Sequence, residues 1–482
     1  MNEQILNKQS TLAAYPAYDH SLVEEKLRAA LVSLDRKIVV LDDDPTGVQT
    51  VHGVYVYTDW SEESIREGFD SPEPIFFILT NSRSFDSQTT AAVHEEIARR
   101  TAKIAKETGK RFLMISRGDS TLRGHYPLET KVLRETLERE SGSKIDGEII
   151  LPFFLEGGRI TIDNVHYVAM DDSLTPAGQT EFAGDKTFGY ASSNLCEWIE
   201  EKTGGACKKE DAICISLAEL RSLDFSAIEQ KLLSAAGFAK VVVNAIDYDD
   251  VAVFAAALVS VLKTGKEFIF RSAAALTRVL GGISGREVLS RAELTDKRNK
   301  NGGLILIGSH VKRTTQQLEQ LKKADFITFV EFDQHLAVDE AKLLAEQQRV
   351  IAIVEREIIG GRTVAVYTRR DRLDLNTADK EAELKLSVRI SDAVAGIAGS
   401  LFTRPGFIIA KGGITSSDVG VKGLGVKKAL VLGQILKGVP VWLTGPESKF
   451  PYMPYVIFPG NVGDENALYD AVLKLQPSKE EY

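Results

Sequence analysis

Three consecutive carboxylates, Asp42-Asp43-Asp44, followed by Pro45-Thr46-Gly47, are the residues of this chain best placed to do chemistry. Carboxylates packed side by side repel one another, so they call for a cation, a shared proton or a hydroxyl donor. The run before them, Ile38-Val39-Val40-Leu41, has the apolar, β-branched character of a buried strand. The acidic run therefore falls at a strand's C-terminal end, where open α/β sheets bind ligands. A solvated acidic turn would explain the same composition. Two more polar loops follow apolar runs: Thr80-Asn81-Ser82-Arg83, and Arg117-Gly118-Asp119-Ser120-Thr121-Leu122-Arg123-Gly124. Asn81 and Ser82 could receive a polyol or cap the following helix. Arg83 and Arg123 could pair a carboxylate or phosphate, or tie the loop together through a neighbour such as Asp119.

The second half carries glycine turns in the same position after apolar runs: Gly308-Ser309, Lys411-Gly412-Gly413-Ile414-Thr415-Ser416, and Pro459-Gly460-Asn461-Val462-Gly463. Paired glycines let a backbone approach a ligand closely, and a helix N-terminus behind such a turn favours phosphate. Neither GxxxxGK[ST] nor GxGxxG occurs. N-capping by Thr415 or Ser416 accounts for the second turn equally well. His52, His125 and His310 are scattered without metal-ligand spacing, and Cys196, Cys207 and Cys214 show no CxxC.

Strand, polar loop and helix alternate through most of the chain, which predicts α/β architecture. The length of 482 residues argues for two domains. The expected division is a first domain over 1–290, a polar linker over 291–302 and a second domain over 303–482, each a mostly parallel sheet flanked by helices, with a cleft between them. Residues 1–19 read as an irregular arm, and 152–190 as a loop-and-hairpin insertion. A formal charge of −9 argues against general nucleic-acid binding while leaving small anionic ligands open. Absence of a membrane-spanning apolar run, of a signal-peptide pattern and of a cysteine framework predicts a cytoplasmic protein without a membrane partner. The oligomeric state stays open, a homo-oligomer included.

Val39-Val40-Leu41-Asp42-Asp43-Asp44-Pro45-Thr46 also fits hhhDxDxT, the first motif of haloacid-dehalogenase-type phosphatases, with Asp42 as nucleophile and Asp44 as acid/base near Mg²⁺. The later acidic motif of that family fails, because Arg123 stands where its second Asp is expected, and the glycine turns go unused. Taken together, Asp43-Asp44-Pro45-Thr46-Gly47, Thr80–Arg83, Arg117–Gly124, Gly412-Gly413 with Thr415-Ser416, and Pro459–Gly463 resemble, in order, the motifs of the four-carbon acid sugar kinase family. Departures from the family pattern are Asp42, Pro45, Ile414 and a longer segment over 156–190. The resemblance implies ATP-dependent phosphorylation of the terminal hydroxyl of a tetronate or 3-oxo-tetronate, with Mg²⁺. It implies Asp43 and Asp44 as the catalytic pair, and Thr46, Asn81, Ser82, Arg83, Asp119, Ser120 and Arg123 as substrate-binding residues. It also implies Ser309, Gly412, Gly413, Gly460, Asn461, Val462 and Gly463 as the nucleotide's residues. Metal ligands are not assigned. A non-catalytic sugar-acid or nucleotide sensor on the same scaffold is the remaining alternative.

Overall fold

The apolar runs become strands buried on both faces, as parallel sheets require. In the strand Ile75–Leu79 every residue is buried, and Arg36–Asp42 is buried at all positions but one. The computed structural model describes residues 4–296, 298–371, 373 and 380–476; the first three residues of the expected arm and residue 297 of the expected linker lie outside them. The chain divides into two compact units.

The first unit holds the chain up to Asp43 and again Asp59–Gly285. Its main sheet orders the strands Ile213–Ile215, Ala239–Val243, Gly147–Leu151, Phe268–Ser272, Arg111–Arg117, Arg36–Asp42 and Ile75–Leu79, all parallel. Register places Asp42 beside Leu79 on one side and Arg117 on the other. The loops after these strands therefore emerge at one edge. The helix Ser87–Thr108 is capped by the Asp86 side chain and ends at Gly109, whose φ of 67° suits glycine.

The 152–190 segment forms a second, antiparallel sheet from Arg159–Ile162, Val165–Met170 and Ser173–Pro176. The N-terminal arm is not wholly irregular. Leu6–Asn7 pairs with Ser173–Pro176 as a fourth strand, and the helix Lys8–Ala13 follows, capped by Asn7. Two paired residues are too few to leave a periodic signal.

The second unit holds Asp44–Thr58 and the chain from Arg286 onward. By its contacts, 44–58 of the expected first domain thus groups with the second unit. The strand Tyr55–Tyr57 pairs antiparallel with Lys428–Leu436, and the Gly53 amide donates to the Val431 carbonyl at 2.8 Å. Those partners lie far along the chain, beyond any local pattern. The expected linker also contains the short helix Arg291–Leu294. Within this unit, Pro454–Phe458, Ile408–Lys411, Leu304–Ile307, Thr363–Thr368 and Ile327–Phe332 run parallel. Val439–Thr444, Lys428–Leu436 and Tyr55–Tyr57 extend the sheet in antiparallel fashion. No described helix is long and apolar enough to cross a membrane.

Candidate functional site

In the first unit the strand-end loops build a cluster of paired charges. Asp43 is 3 % exposed, and Arg83 grips it with two bonds: Nε to Oδ2 at 3.0 Å and Nη2 to Oδ1 at 2.5 Å. Arg117 Nη1 stands 3.3 Å from Asp42 Oδ1 and 3.6 Å from Asp43 Oδ1. Burial pushes the Asp43 carboxyl upward, but the guanidiniums of Arg83, Arg117 and Arg271 outweigh it and hold the group below the ordinary carboxylate value. Asp43 is a fixed anion, poorly suited to taking a proton. Asp42 is 1 % exposed, against Arg117.

Arg271, at the end of the strand Phe268–Ser272, escaped the sequence reading because it looks like the tail of an apolar run. Its guanidinium is 4 % exposed, bonds Glu129 at 3.2 Å and the Arg123 carbonyl at 2.9 Å, and explains two glycines. A Cβ on Gly118 would stand 1.8 Å from Arg271 Nη1, and one on Gly124, at φ 123°, 2.9 Å from Nη2. The loop wraps this side chain with bare backbone.

Several expected ligand contacts are taken up within the protein. Ser82 is wholly buried and donates to Glu129 Oε1 at 2.8 Å, so it supports the cluster from behind and does not face a substrate. Arg123 Nε donates to Asp119 Oδ2 at 2.6 Å, and Thr121 also donates to that carboxylate. Burial raises Asp119, while Arg123, Arg83 and these hydrogen bonds lower it further, leaving it firmly ionised. Asn81 adopts left-handed backbone, with φ 58°, where the chain turns off its strand. Ser120 is held through its carbonyl, which accepts from His166 Nε2 at 2.8 Å. Thr161 bonds the other His166 nitrogen at 2.9 Å, and burial takes the imidazole down to about 4, so it stays neutral. The Tyr190 hydroxyl donates to the Thr121 carbonyl at 2.7 Å. The insertion thus braces the 118–124 loop at two successive residues.

The second unit gathers the glycine turns. Leu304–Ile307, Ile408–Lys411 and Pro454–Phe458 are adjacent parallel strands, so the turns after them lie side by side. A Cβ on Gly412, whose φ is 120°, would stand 2.9 Å from Ser309 Cβ, and one on Gly460 would stand 3.0 Å from Ser309 Oγ. Ser309, Gly412 and Gly460 therefore meet. Asn461, Val462 and Gly463 continue the third turn, held by Gln317 Nε2 on the Val462 carbonyl at 3.0 Å. The helix after Gly412 is only Gly413–Asp418, and Ser416 Oγ donates back to the Ala410 carbonyl at 2.7 Å, so neither Thr415 nor Ser416 serves as the N-cap.

Two cations that sequence reasoning passed over shape these turns. Lys411 is wholly buried, and its Nζ donates to the Pro459 carbonyl at 2.5 Å. Burial, with Arg313 nearby, pulls its ammonium down to about 6. Arg370 donates through Nη2 to the Ser309 carbonyl at 2.7 Å, while its buried Nη1 has no partner among the described residues.

Asp44 belongs to this unit. Its Oδ1 accepts from the Thr46 amide at 2.8 Å and from Thr46 Oγ1 at 2.5 Å, which fixes the carboxylate's orientation. Its Oδ2 lies 2.7 Å from where a Cβ on Gly413 would stand. Thr46 therefore serves Asp44 directly. Among the described residues, no three His, Cys, Asp or Glu side chains gather to hold a metal ion.

Comparison with known proteins finds a family match in each half of the chain, the first running through 44–58 as well. Residues 38–280 match a family described as the sugar-binding N-terminal domain, and 304–468 one described as the nucleotide-binding C-terminal domain. A Haemophilus influenzae protein of known structure shares the fold at 19 % identity and a TM-score of 0.57, covering 91 % of this chain and 100 % of its own. A Salmonella typhimurium protein described as a candidate tRNA synthase does so at 16 % identity and 0.63, covering 91 % and 98 %. No curated protein matches the chain by sequence. With both halves matched in order, the chain belongs to the four-carbon acid sugar kinase family.

Proposed function

We infer that this protein transfers the γ-phosphoryl group of ATP to the terminal hydroxyl of a four-carbon acid sugar of the tetronate or 3-oxo-tetronate type. The observation that carries this is Asp44: one oxygen is fixed by Thr46, and the other is set against the bare backbone of Gly413. A carboxylate fixed this way beside the glycine turn can accept the acceptor hydroxyl's proton, or orient that hydroxyl for in-line attack. Asp43, held down by three guanidiniums, stays the organising anion of the sugar side.

Ser309, Gly412, Gly413, Gly460, Asn461, Val462 and Gly463 would carry the nucleotide's phosphates on backbone and hydroxyl donors. The unpartnered Nη1 of Arg370, beside Ser309, adds a charged donor there. With no acidic cluster to hold a resident metal among the described residues, Mg²⁺ would travel on the phosphates, where it spreads their charge. Asn81, Asp119, Ser120 and Arg123 remain the sugar-binding candidates.

The test is ADP release and phosphorylated product with a panel of four- and five-carbon sugar acids. Stimulation of ADP formation by one of the four-carbon acids is expected. Hydrolysis of phosphate esters without ATP, with no acid-stimulated ADP, would overturn this function. Binding without any turnover would leave the sensor.

A further inference from the structure

Arg159 begins the first strand of the insertion, Arg159–Ile162. A guanidinium carries five donors and stays charged at every physiological pH. In native structures, buried donors of this kind are almost always bonded. Arg83, Arg117, Arg123 and Arg271 of the same unit each bond a carboxylate, although the buried Nε of Arg117 also has no partner among the described residues. The Arg159 side chain makes no hydrogen bond and no ion pair among the described residues, and its Nε is buried without a partner.

Its surroundings are aromatic and cationic. The Arg159 Cζ lies 5.5 Å from the centre of the Phe182 ring, and the Arg123 Cζ lies 5.2 Å from the same centre. Phe182 thus orients two guanidiniums at once through the negative face of its ring. A Cβ on Gly157 would stand 2.9 Å from Arg159 Nη1, so bare backbone makes room for the guanidinium. Nearby Asp119 is already committed to Arg123 and Thr121, and Asp185 approaches Arg123 at 3.7 Å. Burial pulls the Arg159 guanidinium below its ordinary value; the attraction of Asp119 opposes this and the like charge of Arg123 adds to it.

We propose that Arg159, with Arg123 beside it over Phe182, binds the carboxylate of the acid substrate. The inference rests on the acid-sugar function above and assigns one end of that substrate to the insertion. The carboxylate is planar and matches a guanidinium fork. The insertion, which also braces Ser120 and Thr121, would then hold the acid's carboxyl end.

The experiment measures thermal stabilisation and calorimetric binding of four-carbon sugar acids, the matching uncharged alditols and inorganic phosphate. The proteins are the wild type, Arg159→Gln and Arg159→Lys. The acid that binds the wild type should bind Arg159→Gln about 30-fold more weakly, the scale of one charged hydrogen-bonded pair. Arg159→Lys should fall between, and alditol binding should be unchanged. The melting temperature of unliganded Arg159→Gln should match or exceed that of the wild type, since a half-buried guanidinium with an unpartnered Nε is removed. Equal acid binding by wild type and Arg159→Gln would overturn the assignment and leave the kinase function standing. Stabilisation by phosphate alone, or by no acid, would also overturn it. Acid binding that depends on Arg159 without any ADP release would keep the site and remove the kinase.

Discussion

Asp43 and Asp44 share a peptide bond and have opposite surroundings. Asp43 is enclosed by Arg83 and Arg117 in the sugar-binding half, its charge already balanced. Asp44 is half-exposed in the second unit, oriented by Thr46 and packed against the bare backbone of Gly413. The boundary between the two units falls between them. Sequence adjacency therefore says little about role. On the proposed function, the carboxylate gripped by several cations gives structure, and the one oriented by Thr46 does chemistry.

The sharpest way to break this contrast is to neutralise each carboxylate in turn. Asp44→Asn keeps the shape and removes the base, so kcat should fall by about a thousandfold, the usual range for a lost general base. Its urea midpoint should stay near that of the wild type. Asp43→Ala leaves two guanidiniums facing each other, and chemical denaturation should show a loss of roughly 3 kcal/mol, as for a broken buried ion pair.

The same substitution carries a pH signature. Asp43 is depressed in the folded chain, so its contribution is complete above its unfolded value, about pH 4, and is lost as pH falls through the folded one. Stability of Asp43→Ala should accordingly fall less steeply below pH 4 than that of the wild type. The smallest change is Gly413→Ala, which would press a methyl group to 2.7 Å from Asp44 Oδ2. Displacing that oxygen should lower kcat/KM about tenfold, close to 1.4 kcal/mol, with the fold intact.

The strand-end loops were legible because Asp, Arg and Gly cannot continue a buried strand, and their positions gave both halves of the site. The α/β alternation was legible for the same reason. Pairing was not. Nothing local says that Ser82 turns inward to Glu129, or that Gly118 is bare because Arg271 lies over it. Arg271 and Lys411 were hidden at the ends of apolar runs, where one charged residue looks like the strand's last position. For Lys411 the clue was the glycine pair that follows it; for Arg271 it lay in another loop, at Gly118 and Gly124, which mark a close approach without naming what approaches. The crossing of 44–58 into the second unit depends on the three-residue strand Tyr55–Tyr57 meeting Lys428–Leu436, a pairing fixed by tertiary contact alone.

Acid-dependent ADP release by Asp44→Asn and Asp43→Asn, each normalised to folded protein and compared at saturating nucleotide, tests the division of roles most directly. Expected is a near-complete loss for Asp44→Asn with nucleotide affinity kept, while folded Asp43→Asn retains turnover and loses mainly affinity for the acid. A folded Asp44→Asn protein that keeps more than about a tenth of wild-type turnover, beyond the range of a lost base, would contradict it.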